Sequence, residues 1–97
     1  MEMYVKIVKV LPLVQRTYTD RNGQTQVFKS KGFLLSNGIN NLYAEAIGNT
    51  AERYEQRTFD FSQHHVADLN ISVREYTDKD GVVRYSNEIQ LTRLNVL

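Results

Sequence analysis

Basic and aromatic side chains are the residues of this 97-residue chain whose chemistry indicates a ligand. A lysine or arginine neutralises phosphate charge, and a flat aromatic ring stacks on an unpaired nucleobase. Such side chains are available only where they point away from a buried strand face. Alternation along the predicted strands, together with position beside a turn, selects seven candidates: Lys29, Lys31, Phe33, Tyr43, Arg74, Tyr76 and Arg84.

No catalytic or metal-binding pattern accompanies these residues. The chain has no cysteine, no glycine-rich phosphate loop and no convincing Ser-His-Asp order. His64 and His65 are adjacent, so on a strand they would point to opposite sides, and no spaced carboxylates accompany them. The Asp78–Gly81 segment resembles the start of a calcium loop but lacks the later ligands, so we interpret it as a turn. We therefore expect no enzyme activity, no metal and no cofactor.

The charge of the chain is unevenly distributed although its formal net value is only +1. Residues 1–35 hold six basic and two acidic residues, whereas residues 36–69 hold two basic and five acidic ones. A basic first half is consistent with a face that binds a polyanion. The same charge is equally consistent with solubility of a small domain.

The length predicts a single domain spanning residues 1–97, large enough to bury a core without metal or disulfide support. No apolar run approaches the length of a membrane span, and Lys6 and Lys9 interrupt the apolar residues near the N-terminus. We therefore expect a cytoplasmic protein that does not interact with a membrane.

The clearest structural pattern lies in the C-terminal stretch Leu69–Leu97. Leu69, Ile71 and Val73 alternate with polar residues, which is typical of a half-buried strand. A second strand follows from Val82 to Leu91, and Asp80-Gly81 supplies the positive backbone angles of a hairpin turn. This parity places Arg74 and Tyr76 on the solvent side.

Three further strands precede this hairpin. Asn22-Gly23 favours a hairpin turn between the first two. Pro12 predicts an edge or a bend, and Gly32 inside the second strand predicts a bulge or a sharp coil. The predicted bounds are Met3–Val14, about Thr25–Leu35, and Leu42–Ile47.

A short helix is predicted between the third and fourth strands. Asn49 is the expected N-cap, Glu52 three residues later completes a capping-box-like pair, and the helix would run from about Thr50 to Arg57. Three strands, a helix and two strands is the order of an all-β, five-stranded OB-fold barrel. A small SH3-like barrel and an open α+β sheet are the alternatives.

The C-terminal hairpin also resembles that of a known family. The segments Arg74–Gly81 and Arg84–Ile89 are similar to the last hairpin of bacterial single-stranded DNA-binding proteins, with its Arg-x-aromatic-Thr-Asp-x-x-Gly turn followed by Arg-Tyr. Upstream, Ile47–Glu52 resembles the Phe-Gly-Lys-Leu-Ala-Glu segment of that family. The two matches keep the family's order and cover roughly the C-terminal half of the chain.

This resemblance implies an OB-fold that binds single-stranded DNA with little sequence preference, in replication, recombination or mobile-element maintenance. It places Tyr76 at a base-stacking position and implies assembly into a homodimer or homotetramer. Ile47 stands where the family has a stacking Phe, tryptophan is absent, and the chain ends in Asn95-Val96-Leu97 rather than an acidic tail. We therefore expect a short relative without tail-mediated partner recruitment.

A second interpretation remains open. The missing tryptophan, Ile47 and the small net charge also fit an OB-fold module that assembles with itself or with a replication partner and binds no nucleic acid.

Overall fold

The computed structural model of the chain describes residues 1–97 as five strands and one short helix. The order of three strands, a helix and two strands confirms the prediction. The helix is short, and no helix in the structure has the length and apolar character needed to cross a membrane. The elements are β1 (Glu2–Thr19), β2 (Thr25–Ser36), β3 (Asn41–Ile47), α1 (Gly48–Glu55), β4 (His64–Thr77) and β5 (Val83–Val96).

The five strands form one closed sheet in the order β1-β2-β3-β5-β4, with β4 pairing again to β1. Neighbouring strands are antiparallel except β3 and β5, which run parallel and meet at Glu45 and Gln90. The first residues of β1 pair with the first residues of β4, from Glu2–Asp68 to Lys6–His64. This pairing closes the sheet and removes edges that an open sheet would leave exposed.

The core lies inside this closed sheet and is formed by alternating apolar residues from all five strands. Helix α1 covers one end of it with Ala51 and Tyr54. The rings of Phe33, Tyr54 and Phe59 pack edge to face there, with centroids 5.5–5.8 Å apart. The buried apolar residues are Val5, Ile7, Phe33, Leu35, Ala44, Ala46, Ala51, Tyr54, Ala67, Leu69, Leu91 and Leu94.

The start of α1 differs from the prediction. The N-cap is Ile47 rather than Asn49, and no side chain caps the first turn. The chain turns from β3 into α1 through Gly48, whose φ of +61° is a conformation that residues with a Cβ rarely adopt. The expectation of an Asn49 cap is therefore wrong, because the helix begins two residues earlier than predicted, at Gly48, and it ends at Glu55 rather than Arg57.

Two hairpin arms extend from the closed sheet. The first arm comprises residues 14–30 of β1 and β2, and the second arm comprises residues 70–90 of β4 and β5. Asp20 and Asp78 close them with the same turn, in which the aspartate Oδ1 accepts hydrogen bonds from the amides two and four residues ahead. These bonds stabilise the charged carboxylate and lower the pKa of both aspartates, with the Arg84 side chain as the largest cause at Asp78.

The second arm extends further beyond the core than its sequence pattern predicts. Leu69 is buried, as expected, but Ile71 and Val73 are exposed because they lie in the second arm, beyond the closed part of the sheet. The pairing of β2 with β3 is regular at Gly32, but the register between β1 and β2 shifts opposite this residue, so an irregularity does lie at Gly32 as predicted. The extra residue lies in β1, where the shift between Val10 and Leu13 contains Pro12, as the bend predicted there requires.

Candidate functional site

A groove of about 660 Å³ lies on the outside of the closed sheet between the two arms. The first arm and the second arm form its two walls, and β3 forms its floor. Its lining residues are Arg16, Phe28, Ser30, Tyr43, Glu45, Ile47, Asn70, Ser72, Arg74, Asn87, Glu88, Ile89 and Gln90.

Tyr43 is the aromatic residue of the floor and packs against Gly32 of β2. A Cβ added at Gly32 would lie 2.7 Å from Cε1 and 2.8 Å from Cζ of the Tyr43 ring. The glycine therefore makes room for the ring, which is still 47% exposed on the groove side. Burial raises the pKa of the Tyr43 phenol, and the neighbouring Glu45 carboxylate raises it further, so the hydroxyl stays neutral.

The second arm presents Arg74 on the wall of the groove, and Tyr76 and Arg84 on the same face of the arm beyond it. Residues directly paired across antiparallel strands share a face, and Tyr76 is paired with Arg84. Arg74, two residues before Tyr76, lies on the same face, with its guanidinium 5.6 Å from the centre of the Tyr76 ring and 3.1 Å from Glu88. The ring is 41% exposed. Arg84 also donates to Asp78 at 2.6 Å, which holds it at the tip of the arm.

The first arm contributes two residues that the sequence interpretation missed. Arg16 is paired with Phe28, and both line the groove. The Phe28 side chain is 41% exposed, and Tyr18, two residues beyond Arg16, is also exposed on this face. No signal in the sequence indicated Phe28, because it has the opposite parity in β2 to Phe33, Lys29 and Lys31, which were assigned to the solvent side.

Three of the seven predicted site residues lie away from the groove. Phe33 is fully buried in the core and has no ring face for a base, so its assignment to the solvent side is wrong. Lys31 has the same parity and is only 5% exposed, with its ammonium donating to Leu11 and Glu55. Lys29 forms an ion pair with Glu52 of α1. The inference that lysines would stay on the outside failed for Lys31, because Glu55 of α1 supplies a carboxylate to its buried ammonium, whereas the Lys29 side chain remains partly exposed.

The other four predicted residues, Tyr43, Arg74, Tyr76 and Arg84, lie in the groove or on the adjoining face of the second arm. With Arg16 and Phe28 they place three arginines and three rings around one open surface. The arginines stand on the walls. The lining also contains two carboxylates, Glu45 and Glu88, of which only Glu88 is ion-paired. Arg74 is paired with Glu88 and Arg84 with Asp78, so Arg16 on the first arm is the one arginine of this surface without a carboxylate partner.

The two histidines begin β4 and do not form a site together. His65 is buried and its Nδ1 lies 3.0 Å from the carbonyl oxygen of Gln63, whereas His64 is exposed. No group of three or more His, Cys, Asp or Glu side chains is placed to bind a metal ion.

No protein-family model matches the chain, and no curated protein sequence is significantly similar to it.

Proposed function

We propose that the closed sheet is an OB-fold and that the chain binds single-stranded DNA in the groove between its arms. The strand order, the parallel contact of β3 with β5 and the position of α1 support this fold. The resemblance of the second arm to bacterial single-stranded DNA-binding proteins supports DNA as the ligand. The protein would act without catalysis, in replication, recombination or mobile-element maintenance.

The observation that carries the proposal is the pairing of arginines with exposed rings on both walls of one groove. Arg16 is paired with Phe28 on the first arm, and Arg74 lies beside Tyr76 on the second. A single strand needs such a combination, because phosphates require positive charge and unpaired bases require flat apolar surfaces. A duplex keeps its bases stacked internally, so the exposed rings would contribute nothing to its binding.

A titration with labelled oligonucleotides tests this function. A mixed-sequence single strand of about 16 nucleotides, close to the largest site size of one OB-fold, is compared with its duplex at two salt concentrations. We expect the single strand to bind more tightly and with an affinity that decreases as salt increases. Equal affinity for the two ligands, or no binding at micromolar protein, would contradict the proposal.

The two tyrosines of the second arm provide a matched pair of variants. Tyr76 lies on the groove face, whereas Tyr85 lies on the opposite face and donates to Glu75 at 3.0 Å. Tyr76→Ala should weaken binding by about 1–3 kcal/mol with an unchanged salt slope, because stacking is lost and no phosphate contact is removed. Tyr85→Ala should leave the affinity per chain unchanged, and light scattering of this variant shows whether its assembly has changed, since Tyr85 lies on the opposite face of the arm. Thermal melts of both variants show whether either loss reflects unfolding.

A second candidate function is favoured by the outer face of the second arm, the face opposite the groove. Ile71, Val73, Val83 and Tyr85 are all exposed there. A two-stranded ribbon is only marginally stable in water, and adjoining exposed apolar residues mark interaction surfaces. We propose that a second copy of the chain covers this face, giving the homodimer or homotetramer implied by the family resemblance. This assembly would be the whole function if the groove bound no nucleic acid.

Light scattering tests the assembly directly. We expect the mass of a dimer or tetramer, and Val73→Lys should shift the protein toward the monomer because a charge would enter the shared face. A monomer mass for the unaltered protein at working concentration would exclude the assembly. Assembly without binding of either oligonucleotide would favour this second function over the first.

A further inference from the structure

Glu45 is the unpaired carboxylate at the centre of the groove floor. Glu45 is paired with Gly32 on β2 and with Gln90 on β5, so it lies where three strands meet. It shares its strand face with Tyr43, and it is half-buried. Its carboxylate takes part in none of the ion pairs of the structure and accepts no hydrogen bond within it.

A carboxylate in this place restricts how a single strand lies in the groove. Like charges repel, so phosphates are disfavoured at the floor and attracted to the walls, to the unpaired Arg16 and to the exposed Arg74 guanidinium, which they would share with Glu88. The bases then point toward the floor, where Tyr43 offers a ring for stacking. An ionised carboxylate only accepts hydrogen bonds, so Glu45 needs an N–H group from the edge of the base that reaches it.

The four bases differ in the N–H groups that they present at the Watson–Crick edge, which single-strand-binding proteins read directly. Guanine presents N1–H and N2–H₂ side by side, and together they match the two oxygens of a carboxylate. Cytosine and adenine present one amino group beside a ring nitrogen that accepts. Thymine presents one N3–H between two carbonyl oxygens, which repel a carboxylate.

We propose that Glu45 reads the Watson–Crick edge of a base in the bound strand, with guanine preferred and thymine least favoured. This inference rests on the proposed function and makes binding sequence-tolerant along the arms but selective at one position on the floor. A bidentate pair of this kind discriminates against the wrong base by about fivefold or more.

Three single strands of equal length test the proposal. The first contains only thymine, the second carries isolated guanines in the thymine strand, and the third carries inosine in place of each guanine. Isolated guanines avoid four-stranded structures, and inosine lacks only the N2 amino group. We expect the guanine strand to bind about fivefold or more tightly than the thymine strand, and the inosine strand to lie between them.

Glu45→Gln should remove the differences in affinity among the three strands, because an amide donates as well as accepts hydrogen bonds and so tolerates every base. Glu75→Gln removes the same charge from the outer face of the second arm, where Glu75 is paired with Tyr85. It should leave the ratios between strands unchanged even if all affinities rise. Comparing the affinity ratios between the strands, rather than the affinities themselves, separates base recognition by Glu45 from the general effect of removing a negative charge.

The outcomes distinguish this inference from the function on which it rests. If the unaltered protein binds all three strands equally, or if Glu45→Gln keeps the preference for guanine, base reading by Glu45 is wrong and single-strand binding stands. If the unaltered protein binds none of the three strands, both proposals are wrong.

Discussion

The ammonium of Lys31 lies 2.7 Å from the Glu55 carboxylate, beneath the end of α1. The same ammonium donates to the carbonyl of Leu11 at 2.8 Å, and Glu55 also accepts from the amide of Leu13 at 3.2 Å. Leu11 lies inside the irregular segment of β1, and Leu13 is where regular pairing with β2 resumes. One buried lysine and one carboxylate therefore fix α1, β1 and β2 to one another.

Lys31→Ala should destabilise the fold by about 1.5–3 kcal/mol, because charge-assisted hydrogen bonds are lost and the partly buried carbonyl of Leu11 is left without this donor. Chemical denaturation measures this loss. Lys9→Ala is the control, since Lys9 is an exposed lysine of β1 and should cost little. In oligonucleotide titrations Lys31→Ala should keep the salt slope of the unaltered protein. A flattened slope would mean that Lys31 contacts phosphate after all.

The hydrogen bond from Lys31 is the largest cause that lowers the pKa of Glu55 in the folded protein. A lowered folded pKa contributes stability that is complete above the ordinary glutamate pKa of about 4.3 and is lost as the pH falls through the folded value. We expect Glu55→Gln to melt below the unaltered protein at pH 7, with the difference shrinking as the pH drops below about 4.3. Other carboxylates titrate alike in both proteins. A difference in melting temperature that stays constant down to acid pH would contradict this.

The order of strands was predictable from sequence because turn residues and alternation are local. Asp20 and Asp78 close their hairpins with bonds to amides no more than four residues away, and the glycines Gly23 and Gly81 are part of the same turns. Nothing distant is needed to form them. The positions of the two turns therefore agree with the structure, whereas the strands are longer than predicted: β1 runs to Thr19 rather than Val14, β4 begins at His64 rather than Leu69, and β5 ends at Val96 rather than Leu91.

The face of β2 was not predictable in the same way. Phe33 and Lys31 share a parity, and a lysine is usually a reliable marker of the solvent side. Here Glu55, at the end of α1 and 24 residues further along the chain than Lys31, is the partner of the buried ammonium. This distant contact decides which face of β2 is buried. It therefore also decides that Phe28, and not Phe33, faces the groove.

The contact between Tyr43 and Gly32 can be tested with a double-mutant cycle. Gly32→Ala should destabilise the protein by about 1–3 kcal/mol, because the new methyl group overlaps the Tyr43 ring. In a Tyr43→Ala background the same change should be neutral or stabilising, since alanine is otherwise favoured over glycine in a strand. Denaturation of the four proteins measures the coupling. Equal costs in the two backgrounds would show that the ring is not the reason for the glycine.

The first arm gives the sharpest test of the groove, because its neighbouring residues point to opposite faces. Phe28→Ala should weaken single-strand binding by about 1–3 kcal/mol without changing the salt slope, because a stacking surface is removed. Val27→Ala, an exposed residue on the other face of the arm, should have no effect.

Arg16→Ala should instead flatten the salt slope by about 0.7, the counterion release expected for one phosphate contact on a single strand. Lys29→Ala is its matched control, because Lys29 forms an ion pair with Glu52 on the side of α1. Titrations at four salt concentrations measure both slopes. If Lys29 rather than Arg16 changed the slope, the strand would lie against the helix side of β2. The groove between the arms would then not be the binding site.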